Sequence, residues 1–314
     1  MEYLLLVIGF VLLIKGADFF VDGASSVARM LCVPSLIIGM TIVAMGTSLP
    51  ECAVSVTASI AGKNGLAISN AVGSNIFNLM VVCGFCALFC PLAVQKSTLK
   101  GEFPFSVIVA LLLGVLGYFG MSVGHFEGAL LLIVFAGFIV WMIMSAQKAR
   151  GIEKDAKEEN EEENKVLPIW KCIIFIVGGA AAIAFGGDMV VDSASAIAKT
   201  FGMSDTLVGL TIVAFGTSLP ELVTSVVAAR KNEVDMALGN VIGSNIFNIL
   251  FVLGVAAAIS PLAFTMENII DIVILIAMSL LVLIFAWTKE KIVRAEGIVM
   301  LLLYAGYVGY IIIR

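Results

Sequence analysis

Apolar stretches of about twenty residues recur along this chain, separated by short polar breaks, and about twenty residues is the length a helix needs to cross a bilayer. The pattern predicts five helices in each half. In the first half they span approximately 2–22, 34–60, 66–90, 102–121 and 126–147; in the second, 168–194, 204–229, 236–260, 268–287 and 295–313. The long runs exclude a membrane barrel, whose strands would alternate apolar and polar positions in short segments. The expected fold is an all-α polytopic membrane protein, with residues 1–147 and 168–314 as five-helix units and 148–167 as a charged linker.

The two units repeat each other. With a shift of 170 residues, GLTIVAFGTSLPE (Gly209 to Glu221) falls on GMTIVAMGTSLPE (Gly39 to Glu51), and NVIGSNIFN (Asn240 to Asn248) falls on NAVGSNIFN (Asn70 to Asn78). Asp18 matches Asp188, Asp22 matches Asp192, and Pro91-Leu92 matches Pro261-Leu262. An odd number of spans per half makes the second half enter from the opposite face, giving ten transmembrane helices in two inverted-topology repeats, an arrangement common in secondary transporters. The first apolar run starts at Met1 without a basic leader or a small-residue cleavage pattern, so it is read as a retained helix.

Composition agrees with a membrane chain and adds its orientation. Of 314 residues, 61% are hydrophobic and 13% charged, about half the charge of a soluble domain. With the N-terminus outside, the inner loops hold Arg29, Lys96, Lys100, Lys148, Arg150, Lys154, Lys157, Lys165, Lys171, Arg230, Lys231, Lys289, Lys291 and Arg294, which is 14 of the 18 basic residues. The positive-inside rule then sets both termini extracellular and the 148–167 loop cytoplasmic, in what is expected to be a prokaryotic plasma membrane. That loop, KARGIEKDAKEENEEENKVL, lacks the spaced ligands and turn glycine of a calcium loop and reads as a solvated connector. No basic stripe suggests nucleic acid, and no obligatory protein partner or cofactor is indicated. Cys83, Cys86 and Cys90 share one helix without a histidine and read as small packing residues. His125, the only histidine, is expected in a short loop.

Against this background the polar motifs stand out. An ionised carboxylate near the bilayer centre costs about 2.5–3.5 kcal/mol on insertion scales, and both Glu51 and Glu221 incur it. Only Lys15 is a basic residue well inside a predicted span, so the two acids need positive charge from elsewhere: a bound cation, or protons. Thr47 and Glu51 share a helix face, as do Ser74 and Asn78; Thr217 with Glu221 and Ser244 with Asn248 are their mirrors. Pro50 and Pro220 have no N–H for the carbonyls of Gly46 and Gly216, so backbone oxygen is expected beside each carboxylate. All these ligands are oxygen, which suits Na⁺, Ca²⁺ or Mg²⁺, and a flexible cage of protein oxygens fits Ca²⁺ better than Mg²⁺. Gly73 and Gly243 read as packing positions; Asn75 and Asn245 either bond backbone or touch the ion.

GTSLPE with GSNIFN in both halves resembles the cation/calcium antiporter superfamily, and within it the prokaryotic sodium/calcium exchangers. The resemblance covers essentially the whole chain. It implies ten helices, with the second, third, seventh and eighth enclosing transported Ca²⁺ and Na⁺. One half of the site would be Glu51, Thr47, Ser48, Ser74, Asn78 and the Ala44 carbonyl; the other, Glu221, Thr217, Ser218, Ser244, Asn248 and the Ala214 carbonyl. The first and sixth helices would slide to alternate access. Asn248 stands where potassium-dependent exchangers carry Asp, as do some potassium-independent prokaryotic members. Thr47 and Thr217 stand where proton/calcium exchangers typically carry Asn, which favours Na⁺ coupling, with proton/calcium exchange by the same glutamates as the alternative. A cation channel or an intramembrane enzyme lacks support: no evident filter, nucleophile–base pair or HExxH motif is found.

Overall fold

A computed structural model describes residues 1–157, 167–203 and 214–313. Among the described residues, eight helices are long and apolar enough to cross a membrane, and a bent pair makes a ninth. The helices are α1 (Glu2–Leu31), the bent pair α2 (Ser35–Thr47) and α3 (Leu49–Ile60), α4 (Asn64–Phe89), α5 (Lys96–Gly120) and α6 (His125–Lys157). The second half holds α7 (Ile169–Thr200), the short α8 (Ala214–Gly216), α9 (Leu219–Arg230), α10 (Val234–Ile259), α11 (Met266–Lys289) and α12 (Arg294–Ile313). Of the helix expected over 204–229, residues 204–213 lie outside the described residues; α8 and α9 are its described part. Residues 158–166 of the expected linker are likewise outside, while α6 carries its first residues as helix.

Several boundaries differ from the sequence reading: the helix expected over 34–60 breaks at Ser48, and those expected to end at 147 and 194 run on to Lys157 and Thr200. The first helix continues nine residues beyond 22, because Ala17, Phe20, Val21, Ala24 and Ala28 keep a helical period of buried positions through the polar GADFFVDGAS segment. It ends where Cys32 takes a left-handed conformation (φ 52°) and its N–H caps Ala28 and Arg29. His125 begins α6 rather than sitting in a loop, exposed, with Nδ1 3.0 Å from the Ala258 carbonyl.

The all-helical expectation holds apart from four two-residue strands. β1 (Leu92–Ala93) pairs antiparallel with β4 (Lys291–Ile292), and β2 (Ser122–Val123) with β3 (Leu262–Ala263). Each half therefore lends one strand to each ladder, and the pairing is crossed: the α4–α5 connection is tied to α11–α12, and α5–α6 to α10–α11.

α4 and α10 form the centre: 78% of each apolar window is buried, against 17% for α6 and α12. The outer helices show large apolar side chains such as Phe126, Ile133, Leu302 and Ile298 to their surroundings, as expected of lipid-facing surfaces. α1 and α7 lie antiparallel along their length. Gly9 meets the Gly186 carbonyl, Gly16 meets Gly179, and Gly23 meets the Cys172 carbonyl, so a Cβ on any of the three would come within 2.9–3.1 Å of its neighbour. Glycines seven residues apart on one face let the two backbones touch, the packing used where lipid offers no hydrophobic drive.

Candidate ion-binding site

The local chemistry of SLPE breaks the second span where the acid sits. Ser48 leaves helical geometry (φ −87°, ψ 13°), Pro50 occupies the first turn of α3, where no N–H is needed, and α3 departs from α2 by 48°. Glu51 is thereby placed in the first turn of a helix, whose free N–H groups favour a carboxylate. The second half repeats this: Ser218 has φ −95° and ψ 5°, Pro220 lies in the first turn of α9, and Glu221 follows it. Gly46 is a packing position, since a Cβ there would stand 2.8 Å from Phe20 Cζ. On α4 and α10 the ladder loosens into π turns at Asn78–Val82 and Asn248–Val252, each beginning at an asparagine of the motif. Such turns free backbone groups and gather at functional sites.

The two halves meet through their polar side chains. Glu51 and Glu221 are fully buried, with 0% exposure. Ser48 Oγ donates to Glu221 Oε1 at 2.7 Å, and Ser218 Oγ donates to Glu51 Oε1 at 3.1 Å, so each acid is held by the serine of the opposite repeat. Ser74 Oγ adds a bond to Glu51 Oε1 at 3.3 Å; its mirror, Ser244, donates instead to the Ala44 carbonyl at 3.5 Å. That carbonyl also accepts from the Ser48 N–H at 3.0 Å, so it stays within its helix while facing the other half. Ala214 opens α8 at the corresponding place. Asn78 and Asn248 are fully buried, and Asn75 and Asn245 bond backbone: each donates Nδ2 to the other's main-chain carbonyl, at 3.0 and 3.3 Å.

Thr47 and Thr217 engage partners that the sequence reading did not single out. Thr47 Oγ1 lies 3.1 Å from Asn240 Oδ1 and 3.2 Å from the Val43 carbonyl, and Thr217 Oγ1 lies 3.5 Å from Asn70 Oδ1. Asn240 and Asn70 in turn donate to Ser225 Oγ and Ser55 Oγ at 2.9 and 3.0 Å. Both asparagines open the duplicated nine-residue motif, so the repetition itself was the available signal.

Four acceptor oxygens at this centre are buried without a hydrogen-bond partner among the described residues: Glu51 Oε2, Glu221 Oε2, Asn78 Oδ1 and Asn248 Oδ1. They form two mirror pairs. The fully or nearly buried ionisable acids and bases among the described residues are Glu51, Glu102, Glu221 and Asp271, with no Lys or Arg among them. Unpaired buried acceptors are costly, and a set that is all oxygen and carries two carboxylates has the chemistry of a cation site.

A cavity of about 460 Å³ borders the site, lined by Leu49, Pro50, Asp188, Asp192, Thr217 and Pro220 among others. A second cavity shares Ala53 and Val54 with it and continues along α3 to Ala61 and Lys63. The mirror region is filled. There α1 packs along α9, and Lys231 Nζ reaches the Asp18 carbonyl at 2.9 Å and Asp22 Oδ1 at 2.7 Å.

The profile of the sodium/calcium exchanger protein family matches residues 1–144 and 171–313. CaxA of Alkalimonas amylolytica is 43% identical, covering 96% of this chain and 95% of the relative. The sodium/calcium exchanger MaX1 of Methanosarcina acetivorans is 35% identical, covering 98% and 97%. A solved structure of the sodium-calcium exchanger NCX_Mj superposes with a TM-score of 0.85 at 33% identity, covering 99% of this chain and 98% of the other.

Proposed function

This chain belongs to the sodium/calcium exchanger protein family, and from that membership we propose a ten-helix inverted repeat that exchanges Na⁺ for Ca²⁺ by alternating access. The observation that carries the proposal is the set of four unpartnered buried oxygens on Glu51, Glu221, Asn78 and Asn248. Ca²⁺ sits between the two glutamates, whose combined charge matches it. Ser48, Ser218, Ser74, Ser244, Thr47, Thr217 and the carbonyls of Ala44 and Ala214 complete the oxygens over which several Na⁺ distribute when they displace it.

Three features support inversion. α1 and α7, equivalent in sequence, run antiparallel. The contacts between connections join only those given the same side by the basic residues: β1 with β4, and Arg29 with Glu233 at 2.9 Å, inside; β2 with β3, and Asn64 with the Pro261 carbonyl at 2.8 Å, outside. The cavity beside Thr217 leads along α3 toward Lys63, on the outer side, while Lys231 and α1 cover the inner approach. This geometry is an outward-facing state.

Coupling follows from electrostatics. Re-gating without an ion would enclose two bare carboxylates in a low-dielectric core, at several kcal/mol each. Two positive charges remove that penalty, so loaded carriers cross and unloaded ones wait. If more than two Na⁺ move per Ca²⁺, each net charge gains about 2.3 kcal/mol per 100 mV.

The test is ⁴⁵Ca²⁺ flux in proteoliposomes under separately imposed Na⁺, K⁺ and H⁺ gradients. Uptake driven by internal Na⁺ is expected, and E51Q and E221Q each abolish it. Uptake that follows a pH gradient without Na⁺ would instead establish the proton-coupled alternative, in which the same acids carry protons. Near-normal uptake by both variants would remove the glutamates from the mechanism.

A further inference from the structure

An asparagine amide is ambivalent toward a cation: its carbonyl oxygen binds one and its NH₂ repels one, and rotating the terminal group by half a turn exchanges the two. Asn78 and Asn248 face this choice at the proposed site. Something must fix their orientation, and the hydrogen bonds around them do so in a chain that leaves no alternative.

The chain starts from two main-chain carbonyls, which only accept. Asn75 places its Nδ2 3.0 Å from the Asn245 carbonyl, and Asn245 places its Nδ2 3.3 Å from the Asn75 carbonyl. Each NH₂ is thereby committed, so each Oδ1 points the other way. Asn75 Oδ1 then receives Asn248 Nδ2 at 3.1 Å, and Asn245 Oδ1 receives Asn78 Nδ2 at 3.3 Å. With both of those NH₂ groups engaged, the remaining atoms are Asn248 Oδ1 and Asn78 Oδ1. These are the amide oxygens buried without a partner, as are Glu51 Oε2 and Glu221 Oε2. All four asparagines are at most 2% exposed, so water does not compete for these bonds.

We propose that Asn75 and Asn245 are positioning residues for selectivity: each locks the opposite repeat's ligand asparagine with its carbonyl oxygen toward the ions, so that both amides offer the proposed ion site an acceptor only. The inference rests on the ion site proposed above and adds residues that do not touch the ion. It also gives the crossed pairing a purpose. Asn75 of one repeat orients Asn248 of the other, so a shift of α4 against α10 releases both ligands together.

The experiment is a double-mutant cycle on the full-length protein in detergent, read by equilibrium ⁴⁵Ca²⁺ binding and by KM and kcat of exchange after reconstitution. The variants are N75L, N248A and N75L/N248A, with thermal unfolding in ion-free buffer as the folding control. Loss of an outer partner of this kind weakens metal affinity by about 10–100-fold. N75L is expected to raise the Ca²⁺ Kd and KM by about tenfold or more with a small change in kcat. Once Asn248 has lost its oxygen, removing Asn75 should cost less than threefold more (~0.65 kcal/mol). Multiplicative single effects, or an N75L variant with wild-type Kd, would overturn the proposal. Should N75L not fold, the mirror cycle of N245L with N78A decides by the same criterion. Failure of the wild type to bind Ca²⁺ would count against the ion site itself and is distinct from an uncoupled cycle.

Discussion

At the scale of single residues, the site is a set of crossed bonds in which each repeat holds the acid of the other. Ser48 to Glu221 at 2.7 Å and Ser218 to Glu51 at 3.1 Å are the bonds that reach the acids across the repeats. A bond to a charged group contributes about 1.5–3 kcal/mol. S48A and S218A are therefore expected to weaken Ca²⁺ uptake comparably, each raising KM by about tenfold or more. An effect confined to one serine would mean that the halves do not share one ion. The buried acids, serines and asparagines of this centre stood out in the sequence because each appears twice in an apolar setting that imposes a free-energy penalty on each polar group. For Asn75 and Asn245 the sequence left backbone bonding and ion contact open; the structure shows the backbone bonds, because an amide both donates and accepts and only the neighbouring helix decides which. Thr47 and Thr217 were expected toward the ions; they also lie 3.1 and 3.5 Å from Asn240 and Asn70, partners 193 and 147 residues away that helical spacing cannot supply.

Among the elements, the effect of the proline was legible only in kind: a continuous helix over 34–60 was expected, and the structure breaks it at Ser48 with a 48° bend. The π turns at Asn78 and Asn248 were not foreseeable, since an extra residue per turn leaves no mark in composition. The strand pairs β1–β4 and β2–β3 likewise depend on contacts between connections that the chain separates widely. The α1–α7 contact is the element most exposed to test. A Cβ on Gly179 would stand 2.8 Å from both the Gly16 carbonyl and the Phe20 nitrogen, which are backbone atoms and cannot rotate aside. Forcing such a contact costs about 1–3 kcal/mol. If the two helices slide as a pair, G179A slows exchange by tenfold or so and leaves equilibrium Ca²⁺ affinity nearly intact, which flux and binding assays on one preparation separate. Loss of both together would mean that the pair shapes the site rather than its access.

On the proposed inverted repeat, the whole molecule is a near-symmetric object held in an asymmetric state. The repeat that makes it symmetric was legible at once, whereas which side is open was not, because access is a difference between two packings of one sequence. One contributor is nonetheless written in the chain. Lys231 bridges Asp18 and Asp22, while its counterpart under the repeat is Ala61, which leaves Asp188 and Asp192 lining the open cavity. Partly exposed ion pairs contribute about 0–1 kcal/mol, enough to bias two states without locking either. In a cysteine-free background, V54C should react with an impermeant thiol reagent from outside, and its buried mirror T224C should be protected from inside. K231A should raise the inside reaction of T224C by a few-fold. Equal labelling at both positions, unchanged by K231A, would contradict an outward-facing state held by this bridge.

The central claim is that two carboxylates and two amide oxygens from opposite repeats surround one divalent ion. It is tested most directly by locating Ca²⁺ through its long-wavelength anomalous signal in crystals of the wild-type protein grown with Ca²⁺ and without Na⁺. The expected map has a peak about 2.3–2.6 Å from oxygens of both Glu51 and Glu221, lost when Na⁺ replaces Ca²⁺. A map with no peak between those glutamates, or with their side chains turned apart into dry packing, would contradict it.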